Sequence, residues 1–266
     1  MKNRKTIGLA LGSGAYRGFA HIGVIRSFEK NNIPIDYLSG SSIGAWAAAY
    51  YAFFKDISPL EKDLIDNQKE NMSLLFDFGW TGGLISGEKF TDYLAKKLHS
   101  CQFSGLQIPL RIVATNLADG RPYIFSEGNV ATAVRASCSV PLVFKALRLE
   151  DKFLVDGGLS NPVPNDLVRD LGADIVIGVN LYNKNEFQKI KYKESNIVVR
   201  SMMVMLTSLS KAVMSQADIV VEPDTSPLVK ESSLSKYFSK QTADALIKIG
   251  EEAADRAMPE IKKLLV

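Results

Sequence analysis

The sequence predicts an α/β fold: a three-layer α/β/α domain around a mainly parallel central sheet. Three observations point there. Short apolar runs of strand length alternate with longer amphipathic runs over the first 55 residues, giving strand–helix–strand–helix. Parallel strands need helical crossovers of that kind. The first two strand-like runs end in glycine-rich turns that open straight into helix-forming sequence, as turns at the ends of parallel strands do. The chain has 266 residues, 46% of them hydrophobic and 23% charged, enough to bury one full core. It shows no internal repeat, low-complexity segment or linker, so residues 1–266 are read as a single domain.

Residues 6–11 read as a buried strand ending at Gly12-Ser13-Gly14. A helix is expected over 18–30, because Phe19, Ile22, Ile25 and Phe28 recur every three residues. The β-branched run 33–38 reads as the second strand, and the small apolar run after Ser42 as the second helix. Residues 56–87 are less regular. Within them, 74–84 (Phe76, Phe78, Trp80 and three glycines) form an apolar loop, either packed inside or acting as a lid or membrane-touching edge. A helix over 88–98, a strand over 108–116 and a partner strand over 122–125 follow, the last two joined at Asp119-Gly120. Next come a helix over 130–137 and a short strand over 153–155. Then follow a strong buried strand over 173–179, a Met-rich helix over 196–216, a strand over 218–221 and a closing helix over 241–265. Met202, Met203, Met205 and Met214 suit core packing or the wall of an acyl pocket. The charged stretch 184–193 reads as a solvated loop.

A net charge of +3, with no basic stripe interleaved with aromatics, gives no reason to expect a nucleic-acid partner. Two cysteines, Cys101 and Cys138, argue against a disulfide scaffold; they allow one bridge but read rather as buried free thiols. The basic start (Met1-Lys2-Asn3-Arg4-Lys5) precedes an apolar run of only about seven residues, which fits a first strand better than a signal peptide. There is no uninterrupted run of about 18 apolar residues, so no transmembrane helix and a cytoplasmic location are expected.

Three segments carry chemistry. Gly40-Ser41-Ser42-Ile43-Gly44 is a G-x-S-x-G sequence between a strand-like and a helix-like run, the context of a nucleophile elbow. The turn presents the Ser42 hydroxyl, and the helix behind it points its positive end at any negative charge that forms there. Leu11-Gly12-Ser13-Gly14-Ala15-Tyr16-Arg17-Gly18 is a small-residue loop opening a helix, which offers unpaired backbone N–H groups to an anion. In acyl transfer that anion is the oxygen of a tetrahedral intermediate, and one such donor is worth about 3 kcal/mol. No Lys-Ser/Thr pair ends the loop, so it is no phosphate loop. Its glycines fall at 12, 14 and 18 rather than 12, 14 and 17, so the dinucleotide fingerprint fails as well. The third segment is Asp156-Gly157-Gly158, directly after a strand.

Histidine decides between mechanisms. The chain has two, His21 and His99. A hydrolase triad runs Ser, Asp/Glu, His, and no histidine follows residue 99. If Ser42 is a nucleophile, its base is an aspartate directly or a histidine in an unusual order. A dyad of Ser42 and Asp156 needs no histidine. His21 then reads as structural and His99 as a partner of a helix C-terminus.

These segments resemble the patatin-like phospholipases, in particular their compact bacterial members. The resemblance runs over LGSGAYRGFAHIGV (11–24), GSSIGA (40–45), AVRASCSVPLVF (133–144), VDGGLSNPVP (155–164) and ADIVVEP (217–223). It implies an α/β sheet, a Ser–Asp dyad, a backbone oxyanion hole, and hydrolysis of lipid acyl esters without metal or organic cofactor. Carried over, Ser42 is the nucleophile, Asp156 the general base, and the N–H groups of Ser13, Gly14 and Ala15 the oxyanion hole. Gly12, Arg17, Gly18, Gly40, Gly44, Gly157 and Gly158 support the motifs. Arg17 either holds the loop, through contacts or an ion pair, or attracts an anionic head group. The sequence departs from the family's G-x-G-x-x-G at Ser13 and Ala15, whose side chains narrow the approach and restrict φ. The implied partners are a phospholipid, a lysophospholipid or another acyl ester, with peripheral membrane contact; the oligomeric state is not legible. The rival readings are an acyltransferase or thioesterase with the same dyad, and a lipid-binding protein with little turnover. A dyad without histidine also implies a rate that does not rise through the histidine range of pH.

Overall fold

The computed structural model describes residues 4–66, 85–182, 197–228 and 239–265. The expected loop at 74–84 and the charged stretch at 184–193 lie outside them. The first half of the chain alternates as predicted: β1 (Ile7–Leu11), a 3-10 turn (Ala15–Gly18), α1 (Phe19–Lys30), β2 (Tyr37–Ser41), α2 (Ile43–Phe54) and α3 (Ser58–Asp66). Next come α4 (Glu88–Lys97), β3 (Leu110–Asn116), β4 (Pro122–Phe125), α5 (Val130–Ser137), β5 (Leu147–Leu149) and β6 (Lys152–Val155). The remainder is α6 (Asn165–Asp170), β7 (Ile175–Val179), α7 (Ile197–Met214), β8 (Ile219–Val221) and α8 (Lys240–Leu265).

One eight-stranded sheet runs β5-β6-β3-β2-β1-β7-β8, with β4 also paired to β3. β3, β2, β1, β7 and β8 are mutually parallel; β4 and β6 pair antiparallel with β3, and β5 pairs antiparallel with β6. The chain builds from β1 through β2 to β3 on one side, then returns to the other side of β1 with β7. β1 therefore stands at the switch point, where the carboxyl ends of parallel strands open a crevice for ligands.

The period-two alternation of the strands divides the core. Ile7, Leu9 and Leu11 face the cluster built by α1, α2, α5 and α8. Ala10 and Val176 face the opposite layer, with Val163, Val168 and Met214. Helices thus cover both faces, and β1 and β7 are buried along their whole length.

One expectation is corrected and two are refined. The second strand is not 33–38 but Tyr37–Ser41. Ile33 and Ile35 are buried in the connection that leads into it, so their apolar character reflects core packing rather than strand pairing. By length and composition alone α7, 18 residues long, is apolar enough to cross a membrane, although Arg200 and Lys211 interrupt it; a helix packed on a globular domain passes the same test. Its methionines divide. Met214 packs in the core, whereas Met205 is 71% exposed, so the stretch is not wholly core.

Candidate active site

Ser42 sits between β2 and α2 with φ 55° and ψ −125°, a conformation that L-residues rarely adopt. Such a residue stores strain of about 1–3 kcal/mol and persists only where its surroundings hold it. The hold is close packing of the elbow on β1. A Cβ on Gly44 would lie 2.1 Å from the Leu11 carbonyl oxygen, so only glycine lets α2 approach so near. Gly40 lies in β2 beneath Ala45, and Gly18 lies against Ile43. Both glycines of the serine motif therefore serve close approach.

Asp156 follows β6 and meets Ser42 across the strand ends. The Ser42 hydroxyl donates to Asp156 Oδ2 at 2.5 Å, and the Gly158 N–H donates to Asp156 Oδ1 at 2.8 Å. Thr115 Oγ1 donates to the Asp156 carbonyl at 2.8 Å, and the Asp156 N–H donates to the Ser139 carbonyl at 3.0 Å. Gly157 must be glycine for the same reason as Gly44: a Cβ there would lie 2.1 Å from the Val113 carbonyl oxygen. Burial raises the Asp156 carboxyl from 3.8 to about 6, against the lowering effect of its bonds from Ser42 and Gly158. A carboxylate with that pKa, in hydrogen-bond contact with a hydroxyl, is placed to accept its proton near neutral pH. It also titrates in the histidine range, so the expected absence of a rate change there does not hold for this aspartate.

The loop after β1 departs from expectation at one position. The Ser13 N–H donates to the Pro162 carbonyl at 2.8 Å and is not available to a ligand. The N–H groups of Gly14 and Ala15 have no partner among the described residues. The Gly12 N–H is held by Val179, and the Ser13 hydroxyl donates to the Tyr182 hydroxyl at 3.2 Å. Ala15 has φ 51°, so the alanine that stands where the resembled motif has glycine sits in the left-handed region. Arg17 is buried, donates to the Gly14 carbonyl at 3.2 Å and lies 4.7 Å over the Tyr16 ring. It holds the loop and does not face outward to a head group.

Neither histidine joins the pair. His21 is fully buried, and its Nε2 lies 2.7 Å from the Gly12 carbonyl oxygen, which can only accept, so the proton is on Nε2. Burial lowers its pKa to about 4, keeping the ring neutral. His99 stacks on Phe53 with centroids 5.9 Å apart. Among the described residues no three His, Cys, Asp or Glu side chains converge as metal ligands would. The residues that sequence reading left without a role are Thr115, Ser137 and Ser139. The two serines lie in the AVRASCSVPLVF segment, but hydroxyls that bond backbone carry no recognisable spacing, and nothing in the sequence marked Thr115.

Comparison with known proteins identifies the family. The patatin-like phospholipase family model matches residues 9–168, a span that contains the loop, the elbow and Asp156. An uncharacterized NTE family protein of Mycobacterium tuberculosis is 31% identical over 206 residues, covering 77% of this chain and 56% of that protein. Lysophospholipase NTE1 of Pyricularia oryzae is 31% identical over 181 residues, covering 66% of this chain and 12% of that protein. The chain thus spans about half the length of the mycobacterial relative and a small part of the fungal one. The crystal structure of VipD from Legionella pneumophila shares the fold, with a TM-score of 0.57 at 14% identity over 97% of this chain and 67% of that one. A family model over more than half the chain and relatives at this identity lead to one conclusion: the chain belongs to the patatin-like phospholipase family.

Proposed function

We propose that the protein is a serine acyl hydrolase acting on lipid esters, with Ser42 as nucleophile and Asp156 as base. The observation that carries this reading is the 2.5 Å contact between the Ser42 hydroxyl, held in a strained elbow, and the buried Asp156 carboxylate. Ser42 Oγ attacks the acyl carbonyl carbon as its proton passes to Asp156 Oδ2. The carbonyl π pair moves to oxygen, where the Gly14 and Ala15 N–H groups and the N-terminus of α2 stabilise it. Collapse breaks the ester bond, and the leaving alcohol takes the proton from Asp156. Water then gives Asp156 a proton and attacks the acyl-serine, and the second collapse returns that proton to Ser42 Oγ. The lysophospholipase relatives favour phospholipids or lysophospholipids as the ester.

A lipid aggregate is the partner this chemistry implies. Leu117 and Phe153 are exposed and joined by a backbone hydrogen bond of 2.9 Å. Leu117 follows β3, which carries Thr115, and Phe153 lies in β6, which leads into Asp156. Leu142 and Val143 are exposed on the turn after Ser139. We propose these side chains as the point of peripheral membrane contact. Cosedimentation with phosphatidylcholine vesicles tests it, since Leu142→Ser with Phe153→Ser should weaken binding.

Labelling with a fluorophosphonate probe tests the dyad. The wild type should carry one adduct, on Ser42, and Ser42→Ala and Asp156→Asn should lose it or gain it far more slowly. No adduct on folded wild type would favour lipid binding without turnover, the reading kept alive by Ala15 and the occupied Ser13 N–H. Product analysis with a competing alcohol separates hydrolysis from acyl transfer.

A further inference from the structure

We infer that Arg135, Ser137 and Ser139, at the end of α5 and just beyond it, form a clamp that sets the distance between Ser42 and Asp156. The inference rests on the reading of that pair as the reacting groups, and its residues are positioning residues.

Two hydroxyl-bearing residues reach the two sides of the pair. The Ser137 hydroxyl accepts the Ser42 N–H at 2.7 Å and donates to the Val113 carbonyl at 2.6 Å. Its single proton goes to Val113, so it can meet Ser42 only as an acceptor. Val113 belongs to β3 and pairs in register with Ser41. Its carbonyl also limits the approach of Gly157, the residue after Asp156. Ser137 therefore ties the elbow to the strand against which the Asp156 turn is packed. Two residues on, the Ser139 carbonyl accepts the Asp156 N–H at 3.0 Å. One short segment thus holds the backbone N–H of both reacting residues.

Arg135 fixes that segment. Its Nη1 donates to the Ser139 hydroxyl, which in turn donates to the Arg135 carbonyl at 2.9 Å. Nε donates to the Gly87 carbonyl at 3.2 Å. Nη2 donates to the carbonyls of Ser86 at 2.7 Å and Lys145 at 3.0 Å. The guanidinium lies 5.0 Å over the Phe144 ring. It is 2% exposed, and every acceptor among its bonds is neutral. Burying a cation without a carboxylate partner is costly, so this residue is poorly explained as a source of stability. What its planar fork supplies is geometry: it joins residues 86–87, 139 and 145 at one point, which an ammonium on a flexible stem does not reproduce. Gly87, at φ 78°, leaves the room it needs, since a Cβ there would lie 1.9 Å from Arg135 Nε.

The test compares Ser137→Ala, Ser137→Thr, Ser139→Ala and Arg135→Met with wild type. It reads fluorophosphonate labelling rate, kcat and KM on a lysophospholipid, and melting temperature. Misplacing a reacting group by about 1 Å costs on the order of 100-fold. Ser137→Ala and Arg135→Met should therefore label and turn over at least about tenfold more slowly, with KM changed by less than about twofold. Ser137→Thr, which keeps the hydroxyl, should recover most of the loss. A lowered melting temperature with wild-type kcat in Ser137→Ala and Arg135→Met would overturn the clamp and leave a structural role. Should either fail to fold, Ser139→Ala, which removes only the Arg135 anchor, carries the same comparison. The Ser42–Asp156 separation in a crystal structure of Ser139→Ala judges the clamp without any activity. Widening supports it and an unchanged contact overturns it, even if the wild type takes no label and the proposed function fails.

Discussion

Replacing Asp156 by Asn should stabilise the protein at neutral pH while abolishing labelling of Ser42. The Asp156 carboxyl titrates at 3.8 when exposed and at about 6 in the fold, because burial disfavours its charge. The folded state therefore holds this proton more tightly than the unfolded chain. Its contribution to stability is fully present below pH 3.8, falls as pH rises, and is gone above about 6. At about 1.4 kcal/mol per pH unit, ionised Asp156 costs about 3 kcal/mol at pH 7 to 8. Asparagine is neutral and isosteric: its Oδ1 can accept the Gly158 N–H, and its amide can donate to Ser42. The gain of Asp156→Asn over wild type should thus grow from near zero at pH 4 to about 3 kcal/mol at pH 7, or on the order of 6–12 °C in melting temperature. His21 sharpens the prediction. Its pKa is lowered from 6.5 to about 4, so its contribution is present above 6.5 and lost as pH falls towards 4. In wild type the two slopes oppose each other between pH 4 and 6. The variant keeps only that of His21, and its stability should rise by about 1.4 kcal/mol per pH unit across that window. Urea unfolding at half-unit steps from pH 4 to 8 measures both curves. If they run parallel, or the variant is the less stable at pH 7, the carboxylate is not buried at a cost and the reasoning fails.

Labelling of wild type should rise as Asp156 ionises, reach half its maximum near pH 6 and then level off; His21→Gln should keep that limb, and its loss in a folded variant would sink the dyad. Ser42→Gly should be more stable than Ser42→Ala by about 1–2 kcal/mol in chemical denaturation, because glycine adopts the elbow's φ of 55° without strain. Gly157→Ala should lower stability by about 3 kcal/mol and lose the label, since its Cβ would meet the Val113 carbonyl at 2.1 Å and the turn carrying Asp156 must move.

Order and chemistry were legible in the sequence where a local rule determines them. The β1 loop, the elbow and the Asp-Gly-Gly turn are local shapes built by small residues, and each was read near its true place. The second strand was not, and the reason is physical. Tyr37–Ser41 is a central strand with Ser39-Gly40-Ser41 under a closely packed helix, so its sequence has few of the β-branched residues that mark strands. Ile33 and Ile35 have those residues but belong to the connection. β5 is three residues long and pairs only with β6, and α3 and α6 are short, so periodicity had little to act on. At the site, the two residues of the proposed dyad could be named but not what holds them. Ser137 and Ser139 act through one hydroxyl and one carbonyl on backbone N–H groups 95 and 17 residues away in sequence, contacts no spacing reveals.

The site also shows where the fold accepts cost. Three features are unfavourable in isolation: Ser42 and Ala15 at positive φ, and Asp156 ionised out of water. All three lie at the carboxyl ends of β1 and β2 or across from them, where β1 marks the switch in strand order. Backbone there is fixed from several sides at once. The Gly12 N–H goes to Val179, that of Ser13 to Pro162, that of Ser42 to Ser137 and that of Asp156 to Ser139. Each strained or desolvated group is thus flanked by main chain pinned to a different segment, and relaxing one would break a bond elsewhere. That arrangement explains how this chain accommodates Ser13 and Ala15 in the loop. The Gly14 and Ala15 N–H groups of the proposed oxyanion hole are positioned by their neighbours' bonds, and the loop needs no freedom of its own once His21 and Arg17 have fixed the Gly12 and Gly14 carbonyls.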